Sequence, residues 1–491
     1  MPDESGPLSP PVVTAHDLTV SGGAGGTEAD LADLGVLAGR SADLAMELGS
    51  ISAAAHALLV DPDLLASAAL DPGGAAAFEA ALLVALDGPS GLTALAARLG
   101  MRAAAVTTVR AGYEAADAVQ AELMSAREWY EGVSALQHLQ MIAMGLGPAA
   151  SAFMSPASSL DPDHWQLYTD PERWLTEHPG EIDDFLNSLP GMTGHGPSTS
   201  WQELLGELSA GFPDGTYELT GQVEAPPPEM TNPPLGYRDL LAGLNYRDSL
   251  AVRGNDEIDV RIVTQPDGTT AYIVDIPGTK DSSLPIPDLT VGPVTVDLPN
   301  DSVDPATGLI PNSNDMTTNA LTLAGQTTAR ELAIAEALRR AGASPTDPVM
   351  LVGHSQGGMV AAQAAADTAD GTFGYNVTHV LTAGSPVALA DVPPDVQVLS
   401  LENEHDIVAH LDGAENPASP NHTTVSFAYQ AGSIGGNHQL SVGYLDAAAA
   451  LDSTYSPSVD AFTDSAAPFL ADPGGGTTVR ADVFNIERVP E

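Results

Sequence analysis

Residues 348–367 read PVMLVGHSQGGMVAAQAAAD. The apolar run from Val349 to Val352 predicts a strand, and the alanine-rich run from Met359 onward predicts a helix. Between them Gly353-His354-Ser355-Gln356-Gly357 fits the G-x-S-x-G pattern of a nucleophile elbow. A serine on so tight a turn takes an unfavourable backbone conformation, and its neighbours must approach without a Cβ. The turn would lift the hydroxyl clear of the carboxyl edge of a sheet. It would also set the free N–H groups of a helix N-terminus beside it, where a developing oxyanion is stabilised. A plain glycine-rich strand-to-helix turn is the alternative.

Outward from this stretch, strands and helices alternate. IDVRIVTQ, a PDGT turn and TAYIVDI predict a hairpin from about Glu257. QTTARELAIAEALRRAG predicts a helix before the elbow; NVTHVLTA and VQVLSLEN predict two strands after it. LSVGYLDAAAAL predicts a late helix, and TTVRADVFNIERV a last strand. Strands separated by helices imply an α/β fold, a mostly parallel sheet with both faces covered.

A serine hydroxyl needs a base and an orienting acid, which follow it in this kind of fold in the order Ser, Asp or Glu, His. After VQVLSLEN comes EHDIVAHLDG, in which Asp406 lies just past the strand end, with Glu404 and Asp412 as substitutes. Of the twelve histidines, four lie at or beyond this point: His405, His410, His422 and His438. His438 follows flexible glycines at the start of a helix, the loop position a catalytic imidazole requires. His405 and His410 are too close to the acid to arrive from a separate loop, and His354 is expected to pack under the turn. For the oxyanion, AYIVDI ends at Ile276 and Pro277-Gly278-Thr279-Lys280 follow. The main-chain N–H groups of Thr279 and Gln356 are the expected pair of donors, with an ordinary strand-ending turn as the alternative.

Together VGHSQGG, LTAGSPV, NEHDIV and NHQLSVGY resemble the α/β-hydrolase superfamily, especially its class 3 lipase-like members, over about Gly254 to Ala450. The resemblance implies Ser355 as nucleophile, Asp406 as acid, His438 as base and Gly278-Thr279 as the oxyanion loop. It implies hydrolysis of carboxylic or lipid esters without a cofactor. Acyl transfer, thioester or phospholipid cleavage, and a non-catalytic exported scaffold are the alternatives. The loop reads PGTK, where many esterases carry HG and class 3 lipases RGT.

The remaining chain divides in two. Residues 1–150 are rich in Ala, Leu, Asp and Glu with apolar residues at helical spacing, which predicts an α-helical hairpin or bundle broken at DGPSG. Residues 151–250 read as a Pro-rich connector with short helices, leaving 251–491 as the catalytic domain. Tyr113-Glu114-Ala115-Ala116-Asp117 resembles the Y-x-x-x-D/E motif of actinobacterial type VII secretion substrates. That resemblance implies secretion machinery, or a partner of the helical region, as a contact.

Composition narrows the function classes. The 16 basic against 65 acidic residues leave a formal charge of −49, which repels nucleic acid and anionic membranes. The chain has no cysteine, which excludes disulfides and thiol chemistry. No P-loop, H-E-x-x-H or EF-hand pattern is present, so neither a metal nor a nucleotide cofactor is expected. The start lacks a secretory signal pattern and no uninterrupted apolar run reaches membrane-spanning length, so no stable membrane insertion is expected. Cytoplasmic residence and signal-peptide-independent export both remain open.

Overall fold

The computed structural model describes residues 13–24, 31–67, 70–88, 90–108, 171–196, 198–222, 226–250, 256–283, 285, 289–291, 294–296 and 300–490. Tyr113 and Asp117 of the secretion-like motif lie outside the described residues. Contacts divide the chain into two compact units, one of residues 1–26 with 125–491 and one of residues 27–124.

The larger unit is built on a nine-stranded sheet. Its strands are β1 (Leu18–Gly22), β2 (Thr216–Gln222), β3 (Glu257–Thr264), β4 (Thr270–Ile276), β7 (Pro348–His354), β8 (Asn376–Ala383), β9 (Gln397–Asn403), β10 (His422–Phe427) and β11 (Thr478–Val489). A separate two-stranded ribbon joins β5 (Leu289–Val291) to β6 (Val294–Val296). The sheet order is β1-β10-β9-β8-β7-β4-β3-β11-β2. From β10 to β4 every neighbouring pair is parallel, whereas β1, β3, β11 and β2 add antiparallel edges. The hairpin β3–β4, the strands β7 to β9 and the closing strand β11 follow the sequence expectation. The elbow stands at the end of β7, which belongs to the parallel block and is the central strand of the nine.

Alternation along the strands makes two cores, because successive side chains of a strand point to opposite faces. On one face Met350 and Val352 pack with Leu240, Leu244, Tyr444, Ala448 and Phe462 from the helices Tyr237–Leu250, Leu445–Leu451 and Pro457–Ser465 and the turn before them. On the other face Val349 and Leu351 pack with Ile334, Leu338, Val360 and Ala364 from the helices Ala329–Ala341 and Gln356–Ala366. The small alanines of Gln356–Ala366 let that helix lie close over the strands, and nearly all of its residues are buried.

Contacts partition the chain differently from the three-part reading of the sequence. Leu18–Gly22 pairs with β10 and so belongs to the sheet. The Pro-rich stretch supplies β2 and the helix Tyr237–Leu250, whose Tyr237, Leu240, Leu241 and Leu244 enter the core.

Four arginines, Arg247, Arg261, Arg330 and Arg488, are fully buried, each beside a carboxylate. Glu331 is a buried acid without such a partner; it faces Asp367. Burial first, then the Asp367 carboxyl, pushes Glu331 up to about 9 from 4.5. The folded state therefore keeps a proton that the unfolded chain releases, and stability falls as pH rises from about 4.5 through about 9. In Glu331→Gln that fall is expected to shrink, leaving the variant at least about 1 kcal/mol more stable than the native protein at about pH 8. Urea unfolding at about pH 5 and about pH 8 measures the difference.

The unit 27–124 contains the helices Leu31–Ala57, Pro62–Ser67 and Pro72–Asp87 and a further helix over 92–108. Asp71 caps the third by accepting from Gly74 N–H at 3.0 Å, with Pro72 at the first helical position, where its missing N–H costs nothing. The break falls at Gly88, as DGPSG predicts. His56 reaches Asp87 at 2.9 Å, and Ser52 reaches Thr93 at 2.9 Å, tying the elements on either side of the break to the first helix. Windows within Gly35–Ala66 and Pro72–Thr108 reach mean hydropathies of 1.3 and 1.5, so by length and composition alone these stretches could cross a membrane, the second of them running through the break at Gly88.

Candidate active site

Ser355 has φ 54 and ψ −125, the single residue other than glycine with positive φ among the described residues. The strain is held by close main-chain packing. A Cβ on Gly357 would sit 1.9 Å from Ile276 O, and one on Gly353 would sit 2.3 Å from the main chain of Gly357. Strand β4 and the elbow thus touch backbone to backbone, which only glycine allows. Ser355 N–H donates to Ala383 O at the end of β8, at 3.1 Å.

The acid and base come from two later loops. Asp406 follows β9 and caps the short helix Ile407–His410, accepting from Val408 N–H at 3.0 Å. His438 ends the helix Ile434–His438, which Ser433 caps through Gly436 N–H. The two side chains meet, His438 Nδ1 to Asp406 Oδ2, at 2.7 Å. Tyr444 Oη donates to the same oxygen at 2.6 Å. Burial alone would raise the Asp406 carboxyl, but the bonds from His438, Tyr444 and Val408 outweigh it and hold the carboxyl below its ordinary value. An ionised Asp406 only accepts, so Nδ1 of His438 is the donor of this bond, the arrangement that a base acting through Nε2 needs. Burial and the adjacent Asp406 push the Tyr444 hydroxyl well above its ordinary value, keeping it a donor.

Ser355 is joined to this pair through its surroundings. Its neighbour His354 stacks on His438, with ring centroids 4.5 Å apart. A Cβ on Gly384, next to the Ala383 carbonyl that Ser355 engages, would lie 2.8 Å from Asp406 Oδ2. Among the described residues no hydrogen bond links Ser355 Oγ to His438, a contact that commonly tightens only in the substrate complex.

The two expected oxyanion donors lie in loops that touch. In the loop after β4, Gly278 N–H donates to Asp248, and the N–H groups of Lys280 and Asp281 both donate to Asn314 O. The Thr279 N–H makes no hydrogen bond among the described residues. Gln356 opens its helix, so its N–H has no partner within that helix. Asn319 joins the two side chains, bonding the Thr279 hydroxyl at 3.0 Å and accepting from Gln356 Nε2 at 2.7 Å. Arg330 donates to the Gln356 side-chain oxygen, to Pro277 O at 3.2 Å and to Asp256 at 2.9 Å.

The other acids and histidines considered from sequence are engaged elsewhere. Glu404 is exposed, and Asp412 accepts from Ala388 N–H at 2.8 Å. His405 reaches Thr176 O, His410 reaches Asp183 at 2.7 Å, and His422 reaches Ser400. Tyr444, Asn319, Arg330 and Asn403 were missed by sequence reasoning. Asn403 fixes the acid and base loops together by donating to Tyr429 O and Asn437 O. It stands in the N-x-x-D-x-V pattern, and Tyr444 stands at the end of NHQLSVGY, so these two carried a faint signal. Among the described residues no group of three or more His, Asp or Glu side chains is placed to hold a metal ion.

The mostly parallel sheet, the elbow at its central strand and the flanking helices make an α/β architecture. Residues 312–441 match the family model described as PGAP1-like alpha/beta domain, an α/β-hydrolase-like family. The matched segment contains Ser355, Asp406 and His438, while Thr279 lies before it. No curated protein and no solved structure matches the chain significantly. The match suggests a hydrolase-type function in general terms.

Proposed function

We propose that the protein is a serine hydrolase of carboxylic esters, lipid esters among them, acting through Ser355, His438 and Asp406. The observation that carries this reading is the 2.7 Å contact of His438 with Asp406, near a serine held at positive φ. Ser355 Oγ attacks the ester carbonyl while His438 Nε2 takes its proton. The tetrahedral oxyanion is met by the N–H groups of Thr279 and Gln356, and the imidazolium returns the proton to the departing alcohol. Water, deprotonated by the same histidine, then attacks the acyl-enzyme and releases the carboxylic acid and Ser355.

A fluorophosphonate probe tests the reading, because it reacts only with an activated serine. The native protein is expected to be labelled at Ser355, and Ser355→Ala and His438→Ala to be unlabelled. Absence of serine-dependent labelling in the native protein would overturn it.

A further inference from the structure

Lys280 is the single lysine of the chain, and it stands in the loop that carries Thr279. Its Nζ lies 3.0 Å from Asp248 Oδ1, on the helix Tyr237–Leu250. The same oxygen accepts from Gly278 N–H at 3.1 Å and faces Nδ1 of the buried His354 at 3.8 Å. Across the ring, Nε2 of His354 lies 2.9 Å from His438 O; a carbonyl only accepts, so Nε2 donates. The His354 ring stacks on His438 at an interplanar angle of 27° and meets Tyr444 edge-on at 6.2 Å. A Cβ on Gly278 would fall 2.9 Å from Ser355 Cβ and 3.1 Å from His354 Nδ1. One carboxylate therefore touches the loop of an expected oxyanion donor, and one imidazole touches the main chain of the expected base.

We infer that Asp248 and His354 are positioning residues that hold the Gly278-Thr279 loop and the His438 main chain at fixed places around Ser355, with Lys280 balancing the Asp248 charge. The inference rests on the proposed hydrolase function. Asp248 takes the Gly278 N–H and Asn314 takes those of Lys280 and Asp281, which leaves the Thr279 amide as the uncommitted one. Burial opposes the Asp248 charge, but His354 and Lys280 outweigh it and hold the carboxyl well below the usual range. Without the Asp248 charge, Lys280 would stand unbalanced near the stacked rings and disfavour the imidazolium that His438 becomes when it takes the serine proton.

The test is the rate of fluorophosphonate labelling at Ser355 across pH, with thermal unfolding followed in parallel. His354→Phe keeps a flat ring and loses the donor to His438 O; it is expected to label about ten- to a hundredfold more slowly. His354→Gln can return an amide N–H to that carbonyl and is expected to recover most of the rate. Asp248→Asn is expected to move the acid limb of the profile to lower pH, a shift that simple loosening of the fold does not produce. Native rates and profiles in His354→Phe and Asp248→Asn would overturn the inference. If His354→Phe fails to fold, an unmoved profile in Asp248→Asn overturns it alone. If native Ser355 resists the probe, the hydrolase reading fails and the relay is read from Lys280 instead. As the only lysine, it can be ¹³C-methylated with its charge kept, and a resonance indifferent to His354→Gln and His354→Phe overturns the relay.

Discussion

Turnover of a small carboxylic ester is expected to fall about 10⁶-fold in Ser355→Ala and about 10⁴-fold in Asp406→Asn. The first loss removes the proposed nucleophile. The second is the more informative, because Asn has nearly the shape of Asp and the site should keep its form. Asp406 Oδ2 receives two donors at once, His438 Nδ1 at 2.7 Å and Tyr444 Oη at 2.6 Å. An amide there must set its NH₂ either against His438 and Tyr444 or against the Val408 N–H that donates to the other oxygen. When N–H faces His438, Nδ1 becomes the acceptor, the proton moves to Nε2, and the histidine can no longer take a proton from Ser355. Tyr444→Phe leaves the aspartate–histidine pair intact and is expected to cost on the order of tenfold. Initial rates on a chromogenic ester, with thermal unfolding followed alongside, check all three. Equal losses in Asp406→Asn and Tyr444→Phe would mean that packing around the acid, and not its charge, supports the base.

Replacing Arg330 by Met is expected to destabilise the larger unit by about 3–5 kcal/mol, because it strands a buried charge. Arg330 has no exposed surface and pairs with Asp256 at 2.9 Å, also buried. Asp256 Oδ2 already accepts from Ser313 Oγ at 2.5 Å, a neutral donor that cannot balance an ionised carboxyl by itself. The loss comes from the buried Asp256 carboxylate that is left without its counter-ion. Adding Asp256→Asn to Arg330→Met is expected to recover part of the loss for the same reason. Lysine is a poor substitute, since one ammonium cannot span Asp256, Pro277 O and the Gln356 side chain as the guanidinium fork does. Urea unfolding of the three variants measures this. An exposed control is Arg339→Ala, which breaks a surface pair with Glu336 and is expected to change stability by less than about 1 kcal/mol.

The sequence made the parallel block legible because its strands are apolar runs bounded by turns, as in PVMLVG and VQVLSLEN. The edges escaped notice. Strand β2, TYELTGQ, and β1, LTVSG, alternate polar and apolar residues over short lengths, and β10, HTTVSF, is mostly polar although nearly all of it is buried. Such strands are specified by the neighbour they pair with more than by their own composition. Within the candidate site, Ser355, Asp406 and His438 were readable because each sits in a motif and the motifs come in one order. Asp248, Asn319 and Arg330 lie outside those motifs and acquire their partners only when the helices close over the strands. No local pattern announces a carboxylate that will meet a lysine and a glycine amide some thirty residues later.

Strand β1 carries a consequence for the making of the protein. Its residues leave the ribosome first, yet their partner is β10, with Leu18 opposite Phe427. Synthesis at about 5–20 residues per second makes that wait on the order of 20–80 s, during which the segment has no strand to join. The strands from β4 to β9 can assemble while β1 is still waiting, so that edge of the sheet is closed by the return of its earliest strand to β10, and the opposite edge by β11 later still. A pulse-labelled nascent chain halted before His422 should therefore leave residues 18–22 open to protease, and one halted after the whole of β10 has cleared the exit tunnel should protect them.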